Sequence, residues 1–180
     1  FNPRNGISAG HYDFVGVAVH EMGHALGFLS GAQDFDYSAG GGGYFVDDYW
    51  WGYGADMFRY SAPGVLDWTF GTDSYFSIDG GVTALNGASW STGAVNGDGW
   101  QASHWKANNT CANFPGIMTP YICSATVDSV SGNDLALLDA IGWNTSVDVL
   151  ADPDYEFSTA DMAYASTHVP EPASWAMMIG

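Results

Sequence analysis

The stretch Val17–Gly31, "VAVHEMGHALGFLSG", decides how this chain is read. Within it His20, Glu21 and His24 form an HExxH pattern. Residues four apart on an α-helix share a face, so both imidazoles can turn towards one metal ion. Glu21 then falls beside them, close enough to take a proton from water at that metal. The neighbouring residues support the helix: apolar side chains from Phe14 to Phe28 recur on every side, Asp13 is a suitable N-cap, and Gly27 a suitable end. Such a pattern predicts a helix buried almost all round. Two histidines and a glutamate placed there without partners would be costly, which argues for a ligand.

A catalytic metal of this kind usually has three protein ligands and one open position. The third ligand is not in the helix. His11 lies nine residues before His20 and would have to fold back, and His168 is in the tail. Asp34 and Asp36 are close in sequence. His104 sits in "QASHWK", followed fourteen residues later by Met118 in "GIMTP". The residues alone favour His104 without deciding.

The remainder of the chain limits the possibilities. A length of 180 residues fits about one domain, and 47% hydrophobic with 16% aromatic residues can fill a core. Twenty-four glycines and seven prolines point to turns and long loops rather than a helical bundle. Three Lys+Arg against twenty Asp+Glu give a net charge of −17, which excludes nucleic acid as a partner. The acidic residues (Asp34, Asp36, Asp47, Asp48, Asp56, Asp67 and onward) are scattered, as on a solubilising surface. Calcium sites built from some of them are a second expectation, although no run matches an EF-hand loop. The two cysteines, Cys111 and Cys123, would pair in an exported protein and close a short loop. The chain opens on "FNPRNG" and stops in an apolar run just begun, so it reads as an internal fragment.

From Ser30 to about Trp100, Gly-rich punctuation alternates with short aromatic segments such as "YFVDDYWW", "DMFRYS" and "SYFSIDGGVTAL", which read as short strands and loops. A second helix is expected in "SGNDLALLDAIGW": Ser131 and Asp134 resemble a capping box, Leu135, Leu138 and Ile141 share a face, and Gly142 ends it. The expected organisation is α+β: a domain over 1–147, an acidic linker over 148–168, and a terminal signal over 169–180.

"HEMGHALGF", a distant "SHWK", "GIMTP" and "LLDAIGW" together resemble the metzincin metalloproteases, and within them the leishmanolysin-like group. Compact metzincins place a third histidine three residues after the glycine; here that position is Ser30. The leishmanolysin-like group instead carries it downstream of a long insertion. The resemblance therefore implies zinc on His20, His24 and His104, with Glu21 as general base. It further implies Gly27 as the turn out of the helix, Met118 as the methionine beneath the metal, and an N-terminal sheet largely missing here. Tyr121 lies three residues after Met118, not the two of a tyrosine ligand, and is assigned to core or cleft. "VPEPASWAMM" at 169–178 resembles the start of the Pro-Glu-Pro (PEP-CTERM) sorting signal of Gram-negative bacteria. It implies an exported, surface or secreted protein, touching a membrane only through an anchor beyond this sequence.

The expected function is zinc-dependent endopeptidase, with a protein or peptide as substrate. Two rivals stand beside it: a zinc hydrolase with Asp34 or Asp36 as third ligand, and a non-catalytic surface or matrix protein whose metal site is structural or vestigial.

Overall fold

The computed structural model describes residues 3–39 and 52–168. The aromatic stretch "YFVDDYWW", with Asp47 and Asp48, and the sorting-signal resemblance over 169–180 lie outside those residues.

The first helix, α1 (Phe14–Ala25), starts where the Asp13 carboxylate accepts from the Gly16 amide at 3.1 Å, the local rule for an N-cap. It stops at Leu26, and Gly27 follows at φ 111°, a conformation that glycine adopts without a Cβ penalty. After α2 (Gly31–Ala39) the insertion builds a small antiparallel sheet from β1 (Arg59–Ala62), β2 (Val65–Leu66), β3 (Ser74–Phe76) and β4 (Ser89–Trp90), in the order β2-β1-β3-β4. The chain beyond β4 loops out and returns alongside it: Ser91 donates to the His104 carbonyl at 3.0 Å and Lys106 to that of Ser89 at 2.7 Å. This return carries His104 back to α1. Then come β5 (Ser129–Ser131), α3 (Gly132–Ala140), β6 (Glu156–Ser158) and α4 (Thr159–Thr167), with β5 and β6 paired antiparallel. The protein is α+β, and among the described residues no helix is long and apolar enough to cross a membrane.

Aromatic packing makes the core. Trp105 lies within 4.9 Å of Phe28 and 4.8 Å of Trp90, ring centre to ring centre, and Phe76 closes the group. Met118, Ile117 and Leu137 complete it, joining the insertion to the turn at 116–118 and to α3.

Several expectations change. The helix α1 is not buried all round: Phe14 is 81% exposed and Met22 53%, and of its twelve residues only Gly16 is buried. An apolar composition shows that a helix could be covered, not which side this chain covers. In α3, Ala136 and Leu137 face the core while Leu135, Leu138 and Ile141 are half-buried. The acidic linker over 148–168 is instead largely folded. Phe157 pairs with Val130, Ser158 caps α4, and the buried Thr159 hydroxyl donates to Asp13. A three-residue strand is too short for the alternation that would have revealed it. Nor are the acidic residues uniformly superficial: Asp13, Asp36, Asp56 and Asp134 are all buried, each accepting backbone amides. With few cations available, amide groups take their place as partners.

Asp128 differs from these. Burial, and then the charge of Asp13, push its carboxyl up to about 6. The folded state therefore holds this proton more tightly than the unfolded chain, so the penalty is absent below about pH 4 and grows as the pH rises through 6. Asp128→Asn is expected to raise the melting temperature above wild type at pH 8, with the gap closing by pH 4. A gap independent of pH would contradict the assignment.

Candidate metal centre

Three histidine side chains meet where α1 passes the returning segment. His20 and His24 come from one face of α1, and His104 approaches from across it. The Nε2 atoms of His24 and His104 are 3.2 Å apart, as are those of His104 and His20. The His20 and His104 rings stack at 5.1 Å, and His24 stands edge-on to both.

The other ring nitrogens fix the tautomer. His20 Nδ1 lies 2.8 Å from the Ile117 carbonyl, His24 Nδ1 2.8 Å from that of Phe28, and His104 Nδ1 3.1 Å from that of Gln101. A carbonyl oxygen can only accept, so each Nδ1 carries the proton and donates it. All three Nε2 lone pairs are then left facing one another with no proton between them. That arrangement is repulsive unless a cation sits among them, and it is the usual way a protein orients metal-binding imidazoles. Tetrahedral nitrogen ligands at about 2.0–2.1 Å from zinc stand roughly 3.3 Å apart, close to the separations here. The residues fit a metal ion.

Electrostatics agree. Burial, reinforced by the charges of His24 and His20, pulls His104 down to about 3; burial also lowers His24. Both shifts favour the neutral imidazole, the form that binds metal.

The supports are short and traceable. Gly23, between the two histidines of α1, has no side chain because Met118 occupies that space: a Cβ there would stand 2.3 Å from the Met118 sulfur. Met118 is thereby packed under the middle of the motif, 1% exposed. Gly27 turns the chain towards Ser30, which is buried and structural. The Ser30 hydroxyl donates to Asp56 at 2.6 Å, and its amide donates to Ser103, beside His104, at 3.0 Å. Ser30 therefore ties the exit of α1 both to the insertion and to the third histidine. Arg59, fully buried, donates to the carbonyls of Ala102 and Ser91 on either side of the same return. Neither role was visible in the sequence, since each joins segments tens of residues apart.

The other candidates lie elsewhere. Asp36 accepts from the amides of Val95 and Asn96, and Asp34 from the Tyr53 hydroxyl. His11 is exposed, and His168 stacks on Tyr164 at the end of α4. Among the described residues, His20, His24 and His104 are the one group of three or more His, Cys, Asp or Glu side chains able to hold a metal.

A cleft of about 770 Å³ opens off this centre, lined by His20 and Glu21 and walled in part by the 111–122 segment. Cys111 and Cys123 are joined in a disulfide that closes this wall on itself. Tyr121 lines the cleft, its hydroxyl donating to Asn108 and to the Thr110 carbonyl. No protein-family profile, curated protein or solved structure matches the chain.

Proposed function

We propose that the protein is a zinc-dependent endopeptidase. The observation that carries this reading is the convergence of three unprotonated Nε2 atoms, with His20 and the adjacent Glu21 both lining a cleft. Closed structural zinc sites use four protein ligands, whereas hydrolytic ones use three and leave a position open. The described residues supply three. Zinc bound there would act as a Lewis acid, acidifying water and polarising a carbonyl. His20, His24 and His104 would hold it, each oriented through its Nδ1 proton.

Glu21 is exposed to the cleft, where its carboxylate can take the proton of the attacking water and return it to the departing amine. Met118 holds the floor without reaching substrate. The wall from Thr119 to Ile122 flanks the peptide, in keeping with the metzincin resemblance of "HEMGHALGF" and "GIMTP". The disulfide suits an oxidising compartment and so an exported protein, as the Pro-Glu-Pro resemblance implies.

Elemental analysis and a casein assay test the reading together. One zinc per chain is expected in both wild type and Glu21→Gln. Hydrolysis should fall by about 10²–10⁴-fold in the variant, the usual worth of a general base. Zinc binding with equal activity in the two proteins would remove Glu21 from the chemistry, and a zinc-loaded wild type that cuts no peptide would favour a structural site.

A further inference from the structure

The cleft beyond the metal centre has an uneven charge. Its acidic lining is Glu21, Asp128, Asp154 and Glu156, and no Lys or Arg contributes. The chain's three cations are all placed elsewhere. Arg4 pairs with Asp161 at 2.8 Å, Lys106 pairs with Asp73, and Arg59 is buried against the Ala102 and Ser91 carbonyls. A cleft with walls of one sign focuses its field and concentrates ligands of the other.

Asp128 stands in a particular place within it. Its carboxylate lies against Gly16, 2.4 Å from where a Cβ on that residue would be. Gly16 is four residues before His20, on the same face of α1 and one turn away, a rise of about 6 Å. Half-buried carboxylates normally gather hydrogen-bond donors. The buried carboxylates of Asp13 and Asp134 do so; among the described residues no donor reaches the Asp128 carboxylate oxygens, and the charge of Asp13 repels them. Val17, Phe114 and Ile122 line the same cleft and offer apolar wall to a flexible stem.

We propose that this cleft takes a cationic side chain, lysine or arginine, from a residue next to the cleaved bond, with Asp128 as its counter-ion. The long stems of these residues span the one-turn rise, and the ammonium or guanidinium gives Asp128 the donors it lacks. The inference rests on the reading of the site as a peptidase.

Two measurements separate it from that reading. Fluorescein-labelled pentapeptides differing only in a central Lys, Leu or Glu are titrated into zinc-loaded Glu21→Gln protein, with and without Asp128→Asn. The same peptides are offered for cleavage to wild type and Asp128→Asn. The Lys peptide is expected to bind at least about tenfold more tightly than the Leu peptide, and the Glu peptide most weakly. Asp128→Asn, which removes a repulsion and should fold normally, is expected to abolish the advantage of the Lys peptide over the Leu peptide. Equal binding of Lys and Leu, or a Lys preference that survives Asp128→Asn, overturns the inference. Lys-selective binding without any cleavage would instead overturn the peptidase reading and leave the cationic site standing.

Discussion

His104→Ala is expected to weaken zinc binding by far more than a hundredfold while leaving the fold in place. Loss of a partner that merely orients a ligand typically costs 10–100-fold in affinity, and His104 supplies a ligand atom itself. The remaining pair, His20 and His24, shares one helix face and cannot close around an ion from the far side. The fold should survive because the segment is held through its backbone and its neighbours. The Arg59 guanidinium donates to Ala102, the Ser103 hydroxyl accepts from Ser30, and Trp105 fills the core. Without metal the variant should even gain in acid. Burial drives the folded-state pKa of His104 below its ordinary 6.5, to about 3. The unfolded chain therefore binds a proton there first, and the wild-type apoprotein loses stability as the pH falls from about 6.5 towards 3. Removing the imidazole removes that share of the loss. Competition against a colour-reporting zinc chelator, and urea melts of the apoproteins at pH 7.5 and pH 5, read both effects. Zinc retained undiminished in His104→Ala would show that the three Nε2 atoms do not act together.

The same histidine shows where sequence reasoning reaches its limit. Asp13 as N-cap, Gly27 as helix end, and the Ser131–Asp134 capping box are all rules that act within a few residues, and each is present in the structure. The pairing of Cys111 with Cys123 follows from their being the two cysteines of the chain. His104, by contrast, reaches α1 through the return of 100–106 alongside 89–93. That ladder is so broken that Trp90–Trp105 and Gly93–Trp100 pair only as isolated bridges. No alternation of polar and apolar residues marks so short a pairing, and nothing local shows that Asp36 is turned to the Val95 and Asn96 amides and Asp34 to the Tyr53 hydroxyl. The buried carboxylates were hidden for a related reason. Composition counts acidic residues but does not reveal which of them face inward to bind backbone N–H groups.

Asp134→Ala is expected to have the largest effect on stability, because one carboxylate there serves three parts of the molecule. As part of the capping box it accepts from the Ser131 amide at 2.8 Å and starts α3. The same two oxygens accept from the amides of Ile117 at 2.9 Å and Met118 at 3.3 Å, and from the Trp105 indole at 2.8 Å. Burial pushes its pKa up against the pull of these donors, so the ionised carboxylate holds its place only through them. Alanine would leave several buried N–H groups without an acceptor, each at about 1–3 kcal/mol. The expected loss is about 4 kcal/mol or more, a large part of the roughly 5–15 kcal/mol that holds a domain together. Asp134→Asn keeps one accepting oxygen but turns an NH₂ towards the remaining donors, so a smaller loss of about 2 kcal/mol is expected. The metal centre should register the change separately from the fold. The Ile117 carbonyl orients His20, and Trp105 adjoins His104, so Asp134→Asn should also weaken zinc binding by about 10–100-fold. Urea unfolding with chelator present measures the first effect, and zinc competition on the folded variant measures the second. Losses below about 1 kcal/mol for both variants would mean that the turn at 116–118 holds itself in place, and that the metal centre is built on α1 and the His104 return alone.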